Sequence, residues 1–206
     1  MSYILSILIS YLIGSIPSAY LWVKIFRKSD ITKEGTGNVG AMNTYDVTGS
    51  FLLGLLVLLS DAGKAYLTLL LIKWLIPGEF IQILISAFFV IIGHNFSVYL
   101  RFKGGRGLAS AFGVSLFIAP IIFGIWIFLW ITAYFIIKRN QHIANVFATF
   151  LTPILITILP DMFLADMILI YSDNIALFKL FVIAICIIII VKHFKPLMDL
   201  ASKTND

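Results

Sequence analysis

The sequence predicts an all-α integral membrane protein, and three observations carry that reading. Of its 206 residues 61% are hydrophobic and only 12% are charged, about half the charge of an ordinary soluble domain. Mean hydropathy is +1.04. The apolar residues also fall in blocks, at 3–26, 51–76, 79–100, 108–137, 143–164 and 175–192. Each is close to the ~20 residues that carry a helix across about 30 Å of hydrocarbon. A single polytopic membrane domain over 1–206 is expected.

The first block has no cation before Lys24 and is longer than the apolar core of a cleavable signal, so it reads as a first span that stays in the protein. Cations cluster after the first block (Lys24, Arg27, Lys28, Lys33), after the third (Arg101, Lys103, Arg106), after the fourth (Lys138, Arg139) and at the end (Lys192, Lys195, Lys203). The intervening connections around residues 78 and 163 carry none. Because cations collect on the cytoplasmic side, the N-terminus is expected outside and the C-terminus in the cytoplasm. One simple span over 108–137 would put two basic loops on opposite sides. That block is roughly 45 Å of helix at about 1.5 Å per residue, and it contains Pro120, which breaks the backbone ladder. Two short helices, 108–118 and 121–137, turning near Ala119–Pro120, resolve the conflict. The expectation is about seven transmembrane helices; six spans with a weaker charge bias is the alternative.

Several function classes drop out. The basic residues are scattered among loops and form no stripe for nucleic acid. The lone Cys186 permits no internal disulfide and fits a small packing residue. Histidines at 94, 142 and 193 have no ligand spacing, so no metal and no cofactor are expected. The net charge of +5 suits anionic head groups or an anionic substrate.

Two glycine-rich segments fall on the cytoplasmic side of this topology. In "KEGTGNVGAMN", Gly35, Gly37 and Gly40 match the dinucleotide fingerprint as a string, but they join two membrane blocks where the fingerprint requires a βαβ unit. What survives is the capacity of closely spaced glycines to turn backbone N–H groups toward an anion, with Thr36, Asn38 and Asn43 as side-chain donors. In "KGGRG", Lys103, Gly104, Gly105, Arg106 and Gly107 run into the helix starting near Leu108. Free N–H groups at a helix start, beside two cations, form a phosphate-type site. A flexible positive-inside loop has the same composition. Within the spans, Asp61 and Lys64 lie at i, i+3, where they pair on one face; a structural ion pair and a catalytic role both fit. His94 stands at the end of the third block, where a packing histidine and a proton-handling one both fit.

Taken together, "GSIPSAYLWVKIF", "DITKEGTGNVGAMNTYDVTG", "LSDAGKAYLTLLL" and "GHNFSVYLRFKGGRGLASAFG" resemble the bacterial acyl-phosphate-dependent glycerol-3-phosphate acyltransferases of the PlsY type. The likeness covers about residues 13–113 in order and spacing. It implies a seven-helix bacterial cell-membrane enzyme with its active site facing the cytoplasm. That enzyme would move a fatty acyl group from acyl phosphate to glycerol 3-phosphate, giving lysophosphatidate and phosphate. By resemblance Lys103, Gly104, Gly105, Arg106 and Gly107 bind glycerol 3-phosphate; Thr36 and Asn38, which correspond to a Ser and an Asn of the first motif, and His193, which matches a C-terminal histidine and is a candidate for proton handling, are the expected catalytic residues. Gly35, Gly37, Gly40, Asn43, His94 and Arg139 complete the expected phosphate-binding set. The implied partners are both substrates, the lipid bilayer and the enzyme that makes the acyl phosphate. The chain departs from the pattern at Asp46, where the family has an Arg, and at Pro196, where it has an Asn. A paralogue with another donor or acceptor, or without activity, is the main alternative; a transporter of a phosphate-bearing solute is the other.

Overall fold

The computed structural model describes residues 2–76, 78–137, 140–172 and 174–203, with 199–203 by backbone alone. Every regular element among them is a helix. The chain divides into two compact units, 1–114 and 115–206.

The first unit contains α1 (Ser2–Ser15), α2 (Ser18–Arg27), α3 (Ala41–Thr48), α4 (Phe51–Leu75), α5 (Phe80–Asn95) and most of α6 (Leu108–Ile118). Small residues let membrane helices approach closely, and α1 buries Ser6, Ser10 and Gly14 at every fourth position. A Cβ on Gly14 would strike the Val90 carbonyl, and one on Gly93 the Tyr11 carbonyl, so α1 and α5 meet backbone to backbone. Gln82 Nε2 donates to Ser6 Oγ at 2.7 Å across that seam. On α4, Ser50 Oγ accepts from Leu53 N at 3.2 Å and caps the helix start. Gly113 of α6 lies against the Ala62 carbonyl of α4.

The first apolar block, expected as one helix, is broken. Pro17 follows Ile16 between α1 and α2, and proline has no N–H to continue the ladder. The run Ser2–Arg27 still has the length and apolarity of a crossing segment. The third block also ends sooner than expected, at Asn95. A 3₁₀ turn at Val98–Leu100 follows, then Arg101 and Phe102 at φ 53° and 62° reverse the chain. Ser97 Oγ donates to the Ser15 carbonyl and anchors the turn.

The second unit begins within α6 and holds α7 (Pro120–Ile136), α8 (Gln141–Ile158), α9 (Asp161–Met167) and α10 (Ile175–Lys203). The chain breaks at Ala119, with Pro120 as the first residue of α7, where its fixed φ favours a helix start. The Ile118 carbonyl freed by the break accepts from Leu169 N at 2.8 Å. Trp126 Nε1 donates to Thr149 Oγ1 at 3.0 Å and Trp130 Nε1 to Asn145 Oδ1 at 2.6 Å, tying α7 to α8. The block expected at 143–164 stops at Ile158, and α9 starts after Pro160. Lys179 Nζ, on α10, donates to the Thr157 and Leu159 carbonyls at 3.0 Å and to Asp161 Oδ1 at 2.7 Å. It thereby satisfies carbonyls that the end of α8 leaves open. Among the described residues four segments are long and apolar enough to cross a membrane, Ser2–Arg27, Phe51–Leu75, Gln141–Ile158 and Ile175–Met198. α5, α6 and α7 are apolar but shorter.

Candidate active site at the glycine-rich loops

Asp30 opens the first loop. Its carboxylate accepts from Thr32 N at 3.1 Å and Thr32 Oγ1 at 2.7 Å. The hydroxyl bond holds its pKa below the ordinary carboxylate value. Further on, the chain folds around buried Asn43, whose Oδ1 accepts from Thr36 N at 2.8 Å and Thr36 Oγ1 at 3.0 Å. Its Nδ2 donates to the Glu34 carbonyl at 3.2 Å and the Asn38 carbonyl at 3.0 Å. Two acceptor sites and two donors are the whole capacity of a carboxamide. Asn43, expected to contact an anion, therefore frames the loop from within. Gly35 sits at φ 56°, and a Cβ there would overlap Asn43 Oδ1; both its backbone and its space call for glycine. Thr36 is exposed at the loop surface, and its hydroxyl donates to Asn43. Gly37 (φ 68°) turns the chain, Asn38 stands over Gly40, and Gly40 opens α3.

The second loop rests on the end of α5. Gly105 N donates to the His94 carbonyl at 3.0 Å. A Cβ on Gly104 would strike that same carbonyl, and one on Gly105 would overlap His94 Nε2. Gly107 (φ 92°) leads into α6, where Ala111 N closes the first turn onto the Gly107 carbonyl at 2.8 Å. The N–H groups of that first turn have no partner within the helix. Lys103 is exposed beside them and Arg106 is half-buried.

Beneath this loop a buried polar cluster joins three helices. Lys64 Nζ donates to Asp61 Oδ1 at 2.7 Å and to the Ile16 carbonyl at 2.7 Å, and lies 3.1 Å from His94 Nδ1. His94 Nδ1 is 3.5 Å from Asp61 Oδ1. Ile16 is available because Pro17 interrupts the helix after it. A lysine and an aspartate at this depth are tolerated only when paired and facing the bundle interior, which is where α4 places them.

Both loops reach one place. Val39 of the first loop and Gly104 and Gly105 of the second line a small recess, with His94 and Asp61 at its side. Ser18 and Ser97 also line it. Sequence reasoning singled out neither serine; the one signal for Ser18 was the preceding Pro17, which opens a helix end there. Asp46, on α3, acts electrostatically on Arg106. Burial lowers the pKa of the guanidinium, and the Asp46 carboxylate raises it again. The residue that stands where the resemblance expects an arginine thus acts on a cation of the other loop.

His193 belongs to the second unit, buried on α10, where its Nδ1 lies 2.8 Å from the Ile189 carbonyl. Arg139 lies outside the described residues. Among the described residues no group of three or more His, Cys, Asp or Glu could hold a metal ion.

Comparison with known proteins decides what this arrangement belongs to. Residues 4–203 match the family described as glycerol-3-phosphate acyltransferase. The chain belongs to that family. The glycerol-3-phosphate acyltransferase 2 of Moorella thermoacetica is 38% identical over 154 residues, 75% of this chain and 77% of that one. The glycerol-3-phosphate acyltransferase of Pelagibacter ubique is 38% identical over 154 residues, 74% of this chain and 78% of that one. Among solved structures, PlsY, an integral membrane glycerol 3-phosphate acyltransferase, in its glycerol 3-phosphate form, matches with a TM-score of 0.79 at 25% identity. That match covers 98% of this chain and 94% of the other.

Proposed function

We propose that this protein is an acyl-phosphate:glycerol-3-phosphate O-acyltransferase making lysophosphatidate and inorganic phosphate in a bacterial plasma membrane. In this reading the chain is one polytopic domain of seven spans, N-terminus outside and C-terminus inside, with both glycine loops at the cytoplasmic surface. The observation that carries it is the recess shared by Val39, Gly104 and Gly105, since the reaction must bring two phosphate-bearing molecules together.

The energetics favour such a site. Two dianions about 6 Å apart repel by roughly 10 kcal/mol at an effective dielectric of about 20, so a site without cations and N–H donors would exclude the second substrate. Lys103, Arg106 and the N–H groups of Gly104 and Gly107 take the phosphate of glycerol 3-phosphate, while Gly105, whose N–H is held by the His94 carbonyl, shapes the loop. The cradle of Gly35, Gly37 and Gly40, with Thr36 and Asn38, takes the acyl phosphate. An acyl phosphate is a mixed anhydride and already activated. The glycerol hydroxyl oxygen attacks the carbonyl carbon, the C–O bond to phosphate breaks, and the hydroxyl proton leaves with the phosphate. Positioning and charge stabilisation are the work asked of the protein. The resemblance assigns proton handling to His193 and phosphate binding to Arg139, and each is carried here as a substitution to test.

Complementation tests the reading. A bacterial strain lacking its own enzyme of this type should grow when it expresses this chain, and should fail with Lys103→Ala or His193→Ala at equal membrane abundance. No growth with the wild-type chain, or equal growth with all three, rejects it.

A further inference from the structure

The proposed transfer makes no use of the His94 ring, yet two charged side chains are held against it. Behind its Nδ1 stand Lys64 Nζ at 3.1 Å and Asp61 Oδ1 at 3.5 Å. Its opposite edge, Nε2, faces Gly105 closely enough that a Cβ there would overlap it. The ring is buried.

A count of protons fixes its state. An ammonium has three N–H donors and no lone pair. The three short contacts of Lys64, to the Ile16 carbonyl, Asp61 Oδ1 and His94 Nδ1, match those three donors. The N···N contact of 3.1 Å is a hydrogen bond only if Nδ1 is bare; a proton there would set two donors head to head. The competing bond, Nδ1–H to Asp61 at 3.5 Å, lies beyond the usual N–H···O limit of about 3.2 Å. The ring proton therefore sits on Nε2. With a lysine on one nitrogen and a proton on the other, the imidazole has no lone pair to take a hydroxyl proton.

We infer that His94 is a positioning residue and not a general base: Lys64 and Asp61 lock its imidazole in the Nε2–H form, and that edge props the 103–107 loop into its phosphate-receiving shape. The inference rests on the reading of that loop as the acceptor's phosphate site. Lys64 and Asp61 act through His94.

The test has a spectroscopic arm and a kinetic arm. The full chain in detergent, labelled with ¹⁵N in its histidine rings, holds three histidines, and a His94→Gln spectrum assigns the signal. At neutral pH the wild-type signal should show the Nε2-protonated pattern, and Lys64→Met should shift it toward the Nδ1–H form or an exchanging mixture. An Nδ1–H or exchanging wild-type ring overturns the inference. In turnover assays Lys64→Met should raise KM for glycerol 3-phosphate by at least about 10-fold, with kcat changed less than about 3-fold. Lys64→Gln, whose amide again offers a donor, should recover part of that loss. A fall in kcat with KM unchanged overturns the positioning role. Should Lys64→Met fail to accumulate, the wild-type spectrum alone still decides the tautomer. Wild type without turnover rejects the functional reading and leaves the tautomer prediction standing to be tested.

Discussion

Substitution of Gly105 by alanine probes the site where loop and helix meet. The added methyl would overlap His94 Nε2. The ring cannot step back, because Lys64 and Asp61 lie against its far side. Forcing a methyl into a packed, buried site costs about 1–3 kcal/mol. If the loop yields instead of the ring, that energy appears in acceptor binding, and at about 1.4 kcal/mol per tenfold it raises KM by about 5- to 150-fold. The assay is phosphate release with glycerol 3-phosphate titrated at saturating acyl phosphate. A second substitution separates the clash from loss of flexibility: His94→Ser makes room for the methyl. The loss in the double variant should be at least about 3-fold smaller than the product of the two single losses, a coupling expected only of residues in contact. A Gly105→Ala enzyme like wild type, or losses that merely add, would refute the packing argument.

Other expectations follow from single contacts. Asn43→Ala removes four hydrogen bonds from the first loop and should lower kcat/KM by more than about 10-fold, since stranded buried partners cost about 1–3 kcal/mol each; Asn43→Asp, which keeps the acceptors and loses the donors, should fall between the two. Lys103→Ala should cost at least about 10-fold in kcat/KM, about 1.4 kcal/mol. Asp46→Asn frees Arg106 of an exposed carboxylate and should lower KM for glycerol 3-phosphate by up to about 5-fold, the upper range for an exposed pair. Gly63→Ala is the control: a Cβ there meets nothing within 4 Å, so activity should hold while the detergent melting temperature rises with the helix propensity gained.

Periodicity and proline made much of the helix pattern readable. Pro120 sits where the long block divides, and Pro160 where the fifth block ends before its expected limit. Pro17 carried the same signal but lay inside an apolar run long enough to satisfy a simple span, so the break after Ile16 was not expected. That break matters, because it supplies a carbonyl to Lys64 and opens Ser18 to the recess. Glycine spacing marked both loops as candidate anion cradles. Spacing does not say what a side chain faces, which is why Asn43 read as a ligand although its carboxamide is used up within the loop. The Asp61–Lys64 pairing follows from i, i+3 geometry, whereas the part of His94 in the same cluster needed the packing of α5 against α1 and α4. Asp46 read as the loss of a cation; its influence on Arg106 depends on two segments sixty residues apart in the chain folding together.

The most direct measurement is product formation by the purified chain in lipid nanodiscs given a long-chain acyl phosphate and glycerol 3-phosphate. The account expects lysophosphatidate and inorganic phosphate in equal amounts, with no added metal, and a loss of at least about 10-fold in kcat/KM for Lys103→Ala. Phosphate released without lysophosphatidate, or a Lys103→Ala variant that turns over like wild type, would contradict it.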